Sequence, residues 1–139
     1  MRPLTHRIYL LGQVLGQMAD GHLRAAFDLS FNEFLLLRGV GSGQLHSQAD
    51  LKGIVGIGEA GVSRIVARLV GRGLLKTSID PRNRRRNMLH LTEEGRDLLE
   101  RAGTELERQF AQSTGQVAEP DEMEVFEKVL GAYLTRLGF

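Results

Sequence analysis

Apolar positions along most of the chain recur at three- and four-residue steps, which predicts helices. Only one stretch alternates, which predicts a single small sheet. Leu4, Ile8, Leu11, Leu15, Met18 and His22 form one stripe of a first helix from about Leu4 to Phe27. Ser30-Phe31-Asn32-Glu33 has the spacing of a capping box, in which serine and glutamate satisfy free amides at a helix start. It opens a second helix over Phe31 to Val40, which Gly39, Gly41 and Gly43 bring to an end. Ser47 is a further N-cap and predicts a short third helix from Gln48 to Val55. Gly56 to Gly58 make a turn. A fourth helix from Glu59 to Arg72 follows, with Val62, Ile65, Val66 and Leu69 as its buried stripe.

Gly73 suits the left-handed position just past that helix. Leu74 to Ile79 and Asn87 to Leu91 then read as antiparallel strands around an Asp80–Arg86 turn. Thr92 caps a long fifth helix, and Glu93 and Glu94 complement its positive N-terminal end. Gly115 to Ala118 interrupts the helical pattern, and Pro120 sits in the first turn of a sixth helix ending near Leu137. The expected fold is mainly α with one hairpin. A short helix, a glycine turn, a longer helix and a basic hairpin make a winged helix-turn-helix.

Charge sharpens this picture. The 139-residue chain has a net charge of only +1, yet Arg64, Arg68, Arg72, Lys76, Arg82, Arg84, Arg85 and Arg86 face Asp80 alone within one segment. That segment carries +7 and the remainder −6, an asymmetry that suits a polyanionic partner. Cysteine is absent, which excludes disulfides, thiolate metal sites and thiol-based sensing. No apolar run is long enough to span a bilayer and no signal peptide is evident, so a cytoplasmic protein without a membrane partner is expected. His6, His22, His46 and His90 are scattered, and no serine occupies a nucleophile elbow. The expectation is therefore no catalytic site, no metal and no cofactor.

Arg64, Arg68 and Arg72 are four apart and project from one helical face. Taken alone, such spacing more often marks a solvated surface. A helix-turn-helix context changes the balance, because its second helix enters the major groove, where arginine can hydrogen-bond guanine O6 and N7. The arginines of the hairpin also exceed what a soluble tip requires, and their repulsion is relieved on binding phosphates.

A rival motif overlaps this region. Gly56, Gly58 and Gly61 complete a G-x-G-x-x-G, with Asp80 about twenty residues on, as in a dinucleotide-binding unit. The extensive helix before it, and a return strand too close for a parallel crossover, weigh against that reading.

The Val62-Ser63-Arg64 step, Arg68-Leu69, Arg72-Gly73-Leu74, Asp80-Pro81, Arg84-Arg85 and Leu91-Thr92-Glu93-Glu94-Gly95 resemble the MarR family of bacterial transcriptional regulators. The helix layout on both sides extends this similarity to nearly the whole chain. The resemblance implies one domain over 1–139, with 30–95 as a DNA-binding lobe and 1–29 and 96–139 as dimerisation helices. It implies a homodimer on double-stranded DNA, acting as a ligand-responsive repressor at a pseudo-palindromic operator. Ser63, Arg64 and Arg68 would face the major groove, Gln48 the backbone, and Arg82, Arg84, Arg85 and Arg86 would serve the wing. A small aromatic or anionic effector would meet Tyr9, His22, Phe31 and Phe34. Two departures from the family pattern stand out: Asn83 replaces a usual aspartate, and Gly58 replaces a serine or threonine cap. A winged-helix protein-interaction module is the alternative that keeps the same fold.

Overall fold

The computed structural model describes residues 3–47, 50 and 58–138. They form α1 (Leu4–Phe27), α2 (Phe31–Gly41), α3 (Glu59–Gly71), β1 (Leu75–Asp80), β2 (Asn83–Leu91), α4 (Glu93–Thr114) and α5 (Pro120–Arg136). The predicted third helix, Gln48 to Val55, and with it Gln48 itself, lies outside the described residues, save Asp50. The chain divides into two compact units, Met1–Leu106 and Glu107–Phe139, the boundary falling within α4.

Local chemistry accounts for the helix ends. At α2 the Ser30 Oγ accepts the Glu33 N–H at 3.1 Å while the Glu33 carboxylate accepts the Ser30 N–H at 2.7 Å, completing the predicted capping box. Asp20 reinforces this start by accepting the Phe31 N–H at 2.9 Å. The bond from Arg24, then that amide, hold the Asp20 carboxyl below its ordinary range. Between α1 and α2 the chain turns at Asp28, whose φ of 51° is left-handed. Aspartate tolerates that region better than most non-glycine residues.

The first unit holds the core. Leu23 from α1, Leu29, Phe34, Leu36 and Leu37 from the α2 region, and Val62, Val66 and Leu69 from α3 are buried together. Leu74, Leu75, Leu89 and Leu91 from the hairpin and Leu98 and Ala102 from α4 close it. The α3 stripe is therefore the predicted one, with Ile65 only partly buried.

The mount between α3, β1 and α4 is close-fitted. Gly73 takes a φ of 71° after α3, as its position predicted. The Thr92 hydroxyl donates to the Gly73 carbonyl at 2.6 Å and accepts the Gly95 N–H at 3.0 Å, while the Thr92 N–H reaches the Leu74 carbonyl at 3.1 Å. A Cβ on Gly95 would lie 2.1 Å from the Leu74 carbonyl oxygen, so α4 can approach the backbone of the hairpin only because this residue has no side chain.

The hairpin departs from its predicted outline. Leu75 pairs with Leu91 and Ile79 with Asn87, but Asp80 pairs with Asn83. The expected seven-residue turn is thus a tight reversal at Pro81–Arg82, and Arg84 to Arg86 bulge from β2. Side-chain oxygens hold the reversal: Asp80 accepts the Arg82 N–H at 2.8 Å and Asn83 the Arg85 N–H at 3.1 Å. The sheet gains a short third edge where Ser47 bridges Met88 and the Leu89 N–H donates to the His46 carbonyl.

In the second unit, α5 buries none of its residues. Val125, Phe126, Val129, Leu130, Tyr133 and Leu134 are all exposed along it. The first half of α1 is similarly uncovered, with Leu4, Ile8, Tyr9, Leu11 and Val14 exposed.

Candidate nucleic-acid interface

Burial of Val62, Val66 and Leu69 turns the other side of α3 outward and exposes Ser63, Arg64, Ala67 and Arg68. The Gly58 N-cap has an extended backbone and supplies no side-chain hydrogen bond, as its identity predicted. Arg64 donates within its own helix, through an Nε hydrogen bond of 3.4 Å to the Ala60 carbonyl. Its guanidinium meets no carboxylate among the described residues.

Arg68 and Arg72 are placed differently. Arg68 forms a charge-assisted hydrogen bond with Glu33, whose side chain is only 5% exposed. It also reaches the Asp28 carboxylate at 3.1 Å and the Asp28 carbonyl at 3.1 Å. The Glu33 hydrogen bond chiefly pushes the Arg68 guanidinium above its ordinary range, with the Glu33 charge adding to it. Arg72 donates to the carbonyls of Asp28 and, at 3.0 Å, of Phe27. Both arginines expected to project beside Arg64 are instead turned onto the corner between α1 and α2. Glu33 and Asp28 were missed as their partners. Glu33 was legible only as a cap, and it serves both roles by giving one carboxylate oxygen to Ser30 and the other to Arg68.

The wing divides in the same way. Arg82, Arg84 and Arg85 are exposed, and none of their guanidinium groups meets a carboxylate among the described residues. Arg86 is half-buried and pairs with Asp50 at 3.4 Å. Asp50 also accepts the N–H groups of His46 and Ser47 at 3.0 and 2.9 Å. Burial pushes the Asp50 carboxyl up, but those amides, the Ser47 side chain and the Arg86 charge together hold it below its ordinary range. Arg86 therefore pins the wing to the loop behind it.

The four residues expected around an effector stand in different surroundings. Tyr9 is exposed on α1 and its hydroxyl accepts from Gln13. His22 bonds Glu105 of α4 at 2.7 Å. Phe31 and Phe34 stack at 6.3 Å between ring centres, and Phe34 belongs to the core. Two clefts of about 490 and 480 Å³ flank the start of α4, sharing Asp97 and Arg101, and neither is lined by any of the four. Among the described residues no His, Asp and Glu side chains gather as a metal site, and no helix is long and apolar enough to cross a membrane.

The G-x-G-x-x-G residues are also separated in role. Gly56 lies outside the described residues, Gly58 caps α3 and Gly61 lies within it. Asp80 turns the wing, and the described sheet is antiparallel rather than the parallel one a dinucleotide unit needs.

Comparison with known proteins agrees with this geometry. Residues 27–86 match the model of the MarR family. No curated protein matches the sequence. Among solved structures, the Multiple Antibiotic Resistance Repressor MarR superposes with a TM-score of 0.82 at 20% identity, covering 96% of each chain. The regulator BldR from Sulfolobus solfataricus gives 0.72 at 20% identity, over 95% of this chain and 99% of its own. A cysteine-to-serine variant of E. coli MarR in complex with operator DNA gives 0.72 at 20% identity, over 95% and 94%. Mainly helical architecture with a two-stranded wing, the fold of MarR regulators, thus extends over nearly the whole chain.

Proposed function

We propose that this chain, a winged-helix protein whose lobe matches the MarR family, is a transcriptional regulator that binds double-stranded DNA as a homodimer. The observation that carries the reading is the sorting of its basic residues. Arg64 on α3 and Arg82, Arg84 and Arg85 on the wing are exposed without carboxylate partners among the described residues, whereas Arg68 and Arg86 of the same lobe are paired. Ser63 and Arg64 read the major groove and the wing arginines take phosphates or a narrow minor groove. Gln48 approaches the backbone. The uncovered apolar faces of α1 and α5 supply the dimer contact, and a two-fold axis sets the recognition helices ~34 Å apart, matching one turn of DNA.

The repressor role follows the similarity to the Multiple Antibiotic Resistance Repressor, and operator binding follows the similarity to the E. coli MarR variant in complex with operator DNA. A small aromatic or anionic effector that alters the spacing of the two lobes would release both helices from successive grooves.

Selection of bound fragments from genomic DNA tests the reading. A two-fold symmetric motif is expected, and Arg64→Ala should cost roughly 1–3 kcal/mol of binding to it. Failure to enrich any duplex, with a protein partner recovered instead, would establish the interaction-module reading. Sedimentation at micromolar concentration should show a dimer, and a monomer would refute the assembly.

A further inference from the structure

Resting on that reading, we propose that Arg68 and Arg72 do not read DNA but act as positioning residues that clamp the recognition helix to the corner between α1 and α2. Both lie in the last turn or at the cap of α3. Both converge on the same short stretch, Phe27–Asp28, where α1 ends. The left-handed turn at Asp28 allows its carbonyl to accept from both guanidinium groups while its carboxylate takes Arg68. Glu33, buried in the first turn of α2, supplies the second anchor.

The geometry opposes a reading role. For Arg68 to reach a base it would have to leave Glu33, stranding a carboxylate that is nearly removed from water. Arg72 is engaged entirely with main-chain oxygens that no phosphate could replace without leaving them unpaired. Arg64, one turn earlier on α3, carries no such commitment. One helix face is therefore divided into a reading end near its start and a mounting end near its finish.

The clamp also has a direction. Its carbonyl acceptors are the final residue and the cap of α1, a helix whose other end carries uncovered apolar side chains. A tilt of α1 is delivered to the C-terminal turn of α3 through two guanidinium groups, so the pose of the recognition helix follows α1.

Charge and salt separate clamp from reader. Binding is measured to a duplex recovered by the genomic selection and to an unrelated duplex of equal length, over a series of salt concentrations. In a clamp, Glu33→Gln loosens the helix. Operator affinity falls about tenfold, the ratio of operator to unrelated binding falls with it, and the salt slope stays unchanged. In a reader, the same substitution frees a cation for DNA, so affinity rises and the slope steepens. Arg68→Met should likewise leave the slope intact, whereas loss of a phosphate contact would lower it by about 0.9.

Arg72→Met tests the clamp without stranding a buried carboxylate, should either other variant fail to fold. It should lower the operator-to-unrelated ratio at constant slope. A slope reduced in Arg68→Met or Arg72→Met, an operator affinity raised in Glu33→Gln, or an unchanged ratio in folded Arg72→Met would overturn the proposal. Arg64→Ala, measured in parallel, keeps the outcomes apart. If it leaves binding untouched, the DNA-reading role of α3 fails and not merely the clamp.

Discussion

The arginines of α3 and those of the wing belong to one basic segment of the sequence, yet they meet opposite surroundings. On α3, Arg68 and Arg72 face two carboxylates and two main-chain carbonyls of the α1–α2 corner. On the wing, Arg82 in the reversal and Arg84 and Arg85 on the bulged strand stand beside Asp80 and Asn83, whose side-chain oxygens are already occupied by main-chain amides. Asp80 and Asn83 hold the turn and leave the guanidinium groups to solvent. A basic run thus signals a polyanion only after its internal acceptors have been counted. Of the seven arginines from Arg64 to Arg86, the count removes Arg68, Arg72 and Arg86 from the free set and leaves four in it.

The sharpest way to break this contrast is to remove the mount both regions share. Gly95→Ala forces a Cβ into the Leu74 carbonyl and should destabilise the lobe by about 3 kcal/mol or more, measured by urea unfolding. A loss under about 1 kcal/mol would show that α4 and the hairpin separate easily.

Replacing Arg82, Arg84 and Arg85 together by alanine should lower affinity about a hundredfold for any duplex near physiological salt and reduce the salt slope by about 2.7. The folding midpoint should hardly move, because these side chains meet no carboxylate among the described residues. An unaltered slope would mean that the wing does not touch phosphates.

Thr92→Val removes the cap of α4 and the bond to the Gly73 carbonyl, and should cost about 1–2 kcal/mol of stability. It tests whether the two regions are held in one frame by this hydroxyl.

The smallest effect concerns the one anchored wing arginine. The Asp50 carboxyl lies below its ordinary value of 3.8 in the folded protein, so its ionised form contributes stability above that value. The contribution is lost as pH falls through the lower folded-state value. Asp50→Asn should therefore be less stable than the parent at pH 6 by less than about 1 kcal/mol, the pair being partly exposed, with a narrower gap at about pH 3. A gap of equal size at both pH values would assign the loss to something other than the Asp50 charge.

Where the governing interactions are local, residue order alone was informative. The bounds of α1, the Ser30–Glu33 box, the Gly73 stop and the Thr92 cap all involve partners within a few residues, and each stands as the pattern predicted. The wing was legible in kind but not in outline. Its strands alternate clearly, yet pairing Asp80 with Asn83 was one option among several until the side chains of both had folded onto the turn. The candidate site was legible only by charge. Arg68 and Glu33 are 35 residues apart, and Arg86 and Asp50 are 36 apart, separations over which no periodicity connects them.

By itself, then, the sequence determined the described helices, the Ser30 and Thr92 caps, the presence of a basic hairpin and the concentration of positive charge, because propensity and capping act within one or two turns. Only the tertiary structure decided which positive charges are free. Neutralisation depends on carboxylates and carbonyls brought close by core packing, and α2 carries Glu33 to Arg68 only once Leu36, Leu37, Val66 and Leu69 are buried together.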